Sequence, residues 1–231
     1  GSGNVTLYKT NGTLVEAMNV SSSAVTASTN TVTINPTANL VTLEGYYILI
    51  DATAIDDASG NSYAGIGSSS TLNFTAADSS PPTLTSTSPA DNATGVALDS
   101  NITLTFNETV VAGSGNITLF KTDNTQVEAI AVGSGQVAIS GNAVTINPTE
   151  NLQSLQGYYI KVAATALDDA SGNSFAGISN ATTVNFTAAD ATAPTLSSAS
   201  PADNATGVAV GANIVLTFNE NVVAGSGNIT L

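Results

Sequence analysis

The stretch Ile102-Thr103-Leu104-Thr105-Phe106-Asn107-Glu108 alternates apolar and polar residues over five positions and then breaks into a polar turn. Successive side chains leave a pleated backbone on opposite sides, so period two marks a strand with one buried and one wet face. Neighbouring runs read the same way. Ile117 and Leu119 flank Thr118, and Val144 and Ile146 precede Asn147-Pro148. Tyr158, Ile160 and Val162 alternate with Tyr159 and Lys161, which places that lysine outside, and Val184 and Phe186 close the series. With 83–88 as a first strand and 126–132 as another, the count is seven or eight strands between turn residues, with no helical signal. The pattern predicts an all-β sandwich.

Outward from this stretch the sequence repeats. Gly1-Ser2-Gly3-Asn4 returns at Gly113-Ser114-Gly115-Asn116 and at Gly225-Ser226-Gly227-Asn228, a spacing of 112 both times. Gly45-Tyr46-Tyr47 matches Gly157-Tyr158-Tyr159, residues 56–62 match 168–174, and 89–97 match 201–209. About two-thirds of aligned positions are identical. A period of that length holds one sandwich domain, well above the repeat length of solenoids. Proline-containing joints at 79–82 and 191–194 lie one period apart and restrict the backbone there. They divide the chain into 1–80, a partial domain lacking its first two strands; 81–190, a complete domain; and 191–231, the first strands of a third.

Several of these segments together resemble a known family. Ser-Pro-Ala-Asp-Asn-Ala-Thr-Gly-Val (88–96), the stretch 102–108, Ala-Val-Thr-Ile-Asn-Pro (143–148), Gly-Tyr-Tyr-Ile (157–160) and Asp-Asp-Ala-Ser-Gly-Asn (168–173) are similar to the bacterial immunoglobulin-like repeat of S-layer proteins and giant surface adhesins. The resemblance implies tandem immunoglobulin-like sandwiches acting as an extracellular spacer or filament module, often stiffened by calcium. It implies no chemistry, because this sandwich hosts many functions.

Composition removes whole classes of function. The 231 residues carry 3 Lys plus Arg against 17 Asp plus Glu, a formal net charge of -14. Nucleic acid and anionic membranes repel such a field, and the clustered cations that grip phosphate are lacking. With no His and no Cys there is no imidazole base, thiol nucleophile, thiolate metal site or disulfide. Asp168 and Asp169 are chain neighbours rather than carboxylates facing each other across a cleft, so a glycosidase pair is not indicated. The sequence reads as no enzyme. No apolar run is long enough to insert in a membrane. Twelve Asn-x-Ser/Thr triplets would be glycan acceptors only in a cell with that machinery.

The acids themselves are patterned. Asp56/Asp168, Asp57/Asp169, Asp78/Asp190 and Glu108/Glu220 each recur one period apart. In a sandwich of this kind the loop after the second strand and the loop between the last two strands share one pole, beside the preceding linker. That brings Glu108, then Asp168, Asp169 and Asn173, then Asp78 to one joint. Carboxylates so gathered repel unless a hard cation lies among them, and oxygen-only ligation suits calcium. The competing reading is a solvated acidic turn in which Gly60 or Gly172 supplies positive φ. The turn at 57–61 is no EF-hand, since Ser68 stands where the closing Glu belongs.

The leading expectation is a structural repeat of an extracellular or cell-surface filament or adhesin stalk. Its rivals are a surface module binding glycan or a partner protein, and a spacer within a larger secreted enzyme. The expected partners are neighbouring copies of the same repeat, either in one longer covalent array, which is favoured, or joined head to tail by strand donation.

Overall fold

The computed structural model describes residues 1–230 and contains nineteen strands and no helix among them. Three successive units are present. The first comprises β1 (Asn4–Lys9), β2 (Leu14–Asn19), β3 (Val25–Ser28), β4 (Thr31–Ile34), β5 (Gly45–Ile50) and β6 (Asn73–Thr75). The second runs through β7 (Leu84–Ser88), β8 (Ala93–Val96), β9 (Ile102–Phe106), β10 (Val110–Ala112), β11 (Asn116–Lys121) and β12 (Gln126–Ala131). It continues with β13 (Val137–Ser140), β14 (Ala143–Ile146), β15 (Gly157–Val162), β16 (Leu167–Asp169) and β17 (Asn185–Ala188). The third has β18 (Leu196–Ser200) and β19 (Val215–Phe218). Residues 228–230, where the period places the counterpart of β11, form no strand, and Leu231 lies outside the described residues.

The second unit is a closed sandwich. One sheet has the order β12-β11-β15-β17-β8 and the other β13-β14-β9-β7, while β10 and β16 form a short ribbon at one pole. All pairs are antiparallel except β17 with β8. The alternation in β9 buries Ile102, Leu104 and Phe106 against Ile117, Leu119, Ile160 and Val162 of the facing sheet, as one continuous core. The first unit has the counterparts β2-β1-β5-β6 and the hairpin β3-β4. Its second layer stops there, so only Val5, Leu7, Met18, Val25 and Tyr46 form a buried cluster.

Two departures from the sequence pattern have physical causes. The strands β8, β10, β13 and β16 exceed the seven or eight expected. Their strings, Ala-Thr-Gly-Val, Val-Val-Ala, Val-Ala-Ile-Ser and Leu-Asp-Asp, do not alternate apolar with polar, so pairing with their neighbours defines them. Tyr159, placed on the wet face by alternation, is buried. Its ring stacks on Phe120 at 5.1 Å, its hydroxyl donates to Asn124 Oδ1 at 2.9 Å, and Lys161 Nζ lies 5.2 Å over the Phe120 ring. Aromatic and lysine side chains on adjacent strands thus cover one another and dry out a small outer patch.

Candidate metal centre

The site stands where the linker enters the second unit. Three segments converge there: the linker itself with Asp78, the turn leaving β9 with Glu108, and the turn leaving β16 with Asp169. The β9 turn is fixed by a reciprocal clamp. Thr83 N–H donates to Asn107 Oδ1 at 2.6 Å and Asn107 N–H donates to the Thr83 carbonyl at 3.0 Å. This ties the start of β7 to the end of β9 and sets Glu108 beside the linker.

The β16 turn is built by its own carboxylate. Asp169 Oδ1 accepts the backbone N–H groups of Ser171 and Asn173, both at 2.8 Å, and Oδ2 accepts Asn173 Nδ2 at 2.7 Å. Gly172 takes φ +87°, which closes the turn without steric cost. Below it, Phe175 meets Phe106 edge to face at 5.1 Å and anchors the loop to the core. Asp169 is only 3% exposed. The Asn173 side-chain amide, and after it the backbone donors, hold its carboxyl below the usual Asp range despite burial.

Carboxylate oxygens of Asp78, Glu108 and Asp169 all lie within 4.8 Å of one another. Calcium binds oxygen at about 2.3–2.6 Å, so two ligands on one ion are separated by up to about 5 Å. The cluster fits that measure. Among the described residues, the lysine ion pair is Lys9 with Glu44, so no lysine is ion-paired to these three acids. Asn173 adds a further link, its Nδ2 donating to the Asp78 carbonyl at 3.2 Å. On the other side of the linker, Asp78 Oδ1 accepts the Thr42 hydroxyl at 3.0 Å and Ser80 N–H at 3.0 Å. One linker residue is therefore bonded to both flanking units.

The remaining candidates fall into three places. Asp168 is adjacent to Asp169 but points away from the cluster, because neighbours in a strand face opposite sides. It lies across from Val111 and accepts the Ser174 hydroxyl at 2.5 Å. Asp56 is held likewise by Ser62 at 2.6 Å. Asp57 forms the same turn as Asp169, accepting Ser59 N–H at 2.9 Å and Asn61 N–H and Nδ2 at 2.8 Å each. At the second joint, Asp190 accepts the Ser154 hydroxyl at 3.0 Å and Thr192 N–H at 2.9 Å, and the Thr195–Asn219 clamp repeats Thr83–Asn107. Glu220 stands there with a buried Oε1 that has no hydrogen-bond donor. Burial first, and the Asp190 charge second, push its carboxyl above the usual Glu range.

Sequence reading missed the clamp and the double attachment of Asp78. Asn107 sits in the quoted stretch, but its partner is 24 residues away and only the β7–β9 pairing brings them together.

A repeated sandwich with acidic joints defines a modular protein of tandem β-sandwich units. Residues 3–76, 78–188 and 190–231 each match the bacterial Ig-like domain, and the chain belongs to that family. The domain is in general a non-catalytic one, typical of cell-surface or extracellular proteins. A search of curated proteins finds no match to the chain. No helix among the described residues is long and apolar enough to cross a membrane.

Proposed function

We propose that the chain is a structural repeat of an extracellular filament or adhesin stalk, without enzymatic activity, whose joints are stiffened by calcium. The observation that supports this most is the attachment of Asp78 to Thr42 on one side and Asn173 on the other, where its carboxylate converges with those of Glu108 and Asp169. A flexible tether between independent binding modules has no use for such a joint. A spacer that holds an object at a distance does. In this reading Asp78, Glu108 and Asp169 supply the charged oxygens, and the ion removes the repulsion that otherwise splays the joint. Neighbouring copies of the repeat are its partners along the fibre axis.

Calorimetric titration with calcium tests the metal. The parent is expected to give a binding heat that Glu108→Gln, which keeps the side-chain volume, diminishes or removes. An unchanged heat in Glu108→Gln, or none in the parent, overturns the site. Single-molecule energy transfer between dyes on the first and second units tests the stalk. One narrow distance in millimolar calcium that broadens in chelator is expected, and a broad distribution in both sinks the mechanical reading.

A further inference from the structure

The two joints of the chain are held by the same bonds, and those bonds begin in the core of the preceding unit. Tyr46 of the first unit is buried, and its hydroxyl accepts the Val41 N–H at 2.8 Å. The turn anchored in this way carries Leu43 at φ +58°, a conformation a leucine adopts only under constraint. It closes on the chain leaving β6, the Glu44 carbonyl accepting the Ala76 N–H at 2.9 Å. The turn presents the Thr42 hydroxyl to the linker. That oxygen accepts the Ser79 N–H at 2.9 Å and donates to Asp78 Oδ1 at 3.0 Å. The Ser80 N–H donates to the same Oδ1, so two donors fix which way the carboxylate faces.

One period later each bond returns. The Tyr158 hydroxyl accepts the Gln153 N–H at 2.8 Å, and Leu155 has φ +59°. The Ser154 hydroxyl donates to Asp190 Oδ1 at 3.0 Å and accepts the Ala191 N–H at 3.0 Å. Three side chains along this path differ between the joints, Val41 against Gln153, Thr42 against Ser154 and Ser79 against Ala191. The hydroxyl is what Thr42 and Ser154 share. A path of bonds thus runs from a buried tyrosine, through a constrained turn and one hydroxyl, to the carboxylate that meets Glu108 and Asp169.

We propose that Thr42 is a positioning residue for the ion, and that its hydroxyl couples calcium binding at the joint to the folding of the preceding unit. This rests on the calcium reading of the joint and adds a direction of control to it, since residues 3–76 supply none of the three carboxylates. With the preceding unit unfolded, Asp78 hangs on a linker held from one side, and ordering its side chain opposes binding. With that unit folded, Thr42 has the carboxylate already in place. The effect is reciprocal. An ion that binds more tightly when the preceding unit is folded stabilises that unit, although its charged ligands all lie beyond it. Along an array, each ion then ties the stability of one unit to that of the next.

Hydrogen exchange of the whole chain, followed across a calcium series that starts in chelator, reads both units at once. In the parent, calcium is expected to slow exchange in β9 and the β16 turn of the second unit and, with the same midpoint, in β5 of the first. Thr42→Ser, which keeps the hydroxyl in the form used at the second joint, should behave as the parent does. Thr42→Val keeps the shape and loses the hydroxyl. Its calcium midpoint should rise about tenfold, as expected for one lost hydrogen bond to a charged group, and the effect of calcium on β5 should vanish. Any stability the valine costs by itself is already present in chelator and drops out of the comparison. Protection confined to the second unit of the parent, or a Thr42→Val response equal to the parent's, overturns the coupling and leaves the metal site standing. A Thr42→Ser response like that of the valine variant overturns the role of the hydroxyl. No response to calcium in either unit overturns the metal site, and the coupling falls with it.

Discussion

Residues 3–76 and 78–188 share most of their sequence and all of their central strands, yet the core cluster of one has five buried residues and that of the other twenty-one. Nothing in β1 or β5 explains the difference, since β11 and β15 are nearly the same strings. The difference lies in β7 to β10, which close the second layer of the complete unit. Burial in a sandwich is therefore a property of the pairing and not of the strand, and most of the stabilising area is non-local.

The sharpest way to break that comparison is to truncate the same residue in both settings. Leu104→Ala opens a cavity in a sealed core and is expected to cost about 2–5 kcal/mol. Leu216→Ala removes a side chain already half in water and should fall within about 0.5 kcal/mol in dilute solution. Hydrogen exchange at amides of β9 and β19 reads the two effects separately. Equal costs would mean that Leu216 is packed as well as Leu104.

A second comparison runs between Phe186 and Phe74. Phe186→Ala is expected to cost about 3–5 kcal/mol. Phe74 still stacks on Tyr46 at 5.8 Å but has lost its outer neighbour, so Phe74→Ala should cost about half as much. Urea unfolding followed by exchange in β17 and β6 checks the ratio. A ratio near one would mean that the open edge of the first unit contributes nothing.

The aromatic patch offers a smaller contrast. Tyr159 and Tyr47 both stack on an aromatic ring of the neighbouring strand in their sheet, at 5.1 and 5.2 Å. Only Tyr159 has a hydroxyl partner among the described residues, because Asn124 is replaced by Gly12 in the first unit. Tyr159→Phe is expected to lose about 1 kcal/mol in thermal unfolding, and Tyr47→Phe close to nothing.

These contrasts show what the sequence could carry. The long strands are legible because Ile102, Leu104 and Phe106 alternate over enough positions to exclude a helix. The joint is legible in outline, since sandwich topology alone brings Asp78, Glu108 and the 168–173 turn to one pole. Which of the two adjacent acids turns inward is not. That is fixed by the β10–β16 register, Val110 opposite Asp169 and Val111 opposite Asp168, and three-residue strands leave no periodic trace. The burial of Tyr159 is hidden for a related reason: alternation predicts the face, while stacking across strands decides whether that face is wet.

The finest contrast is between the two joints and appears as a difference in pH response. Asp169 is held below the usual Asp range by the Asn173 side chain and backbone donors, so its bonds stabilise the fold above the unfolded pKa of about 3.9 and are lost as pH falls through the lower folded value. Glu220 behaves oppositely. Burial and then Asp190 raise it, so the folded state holds its proton more tightly than the unfolded chain. Its contribution is most favourable below the unfolded pKa of about 4.3 and declines as pH rises through the higher folded value. Just above pH 4, therefore, the first joint gains and then holds its strength while the second weakens. Carboxyl NMR titration should place the Glu220 midpoint above that of an ordinary Glu. Asp190→Asn should bring it down only part of the way, since burial comes first among the causes and remains. Calcium should lower it further, because an ion at that carboxylate competes with the proton. A Glu220 midpoint at or below the ordinary value in the parent would show that Oε1 is already satisfied, and the two joints would then be electrostatically alike.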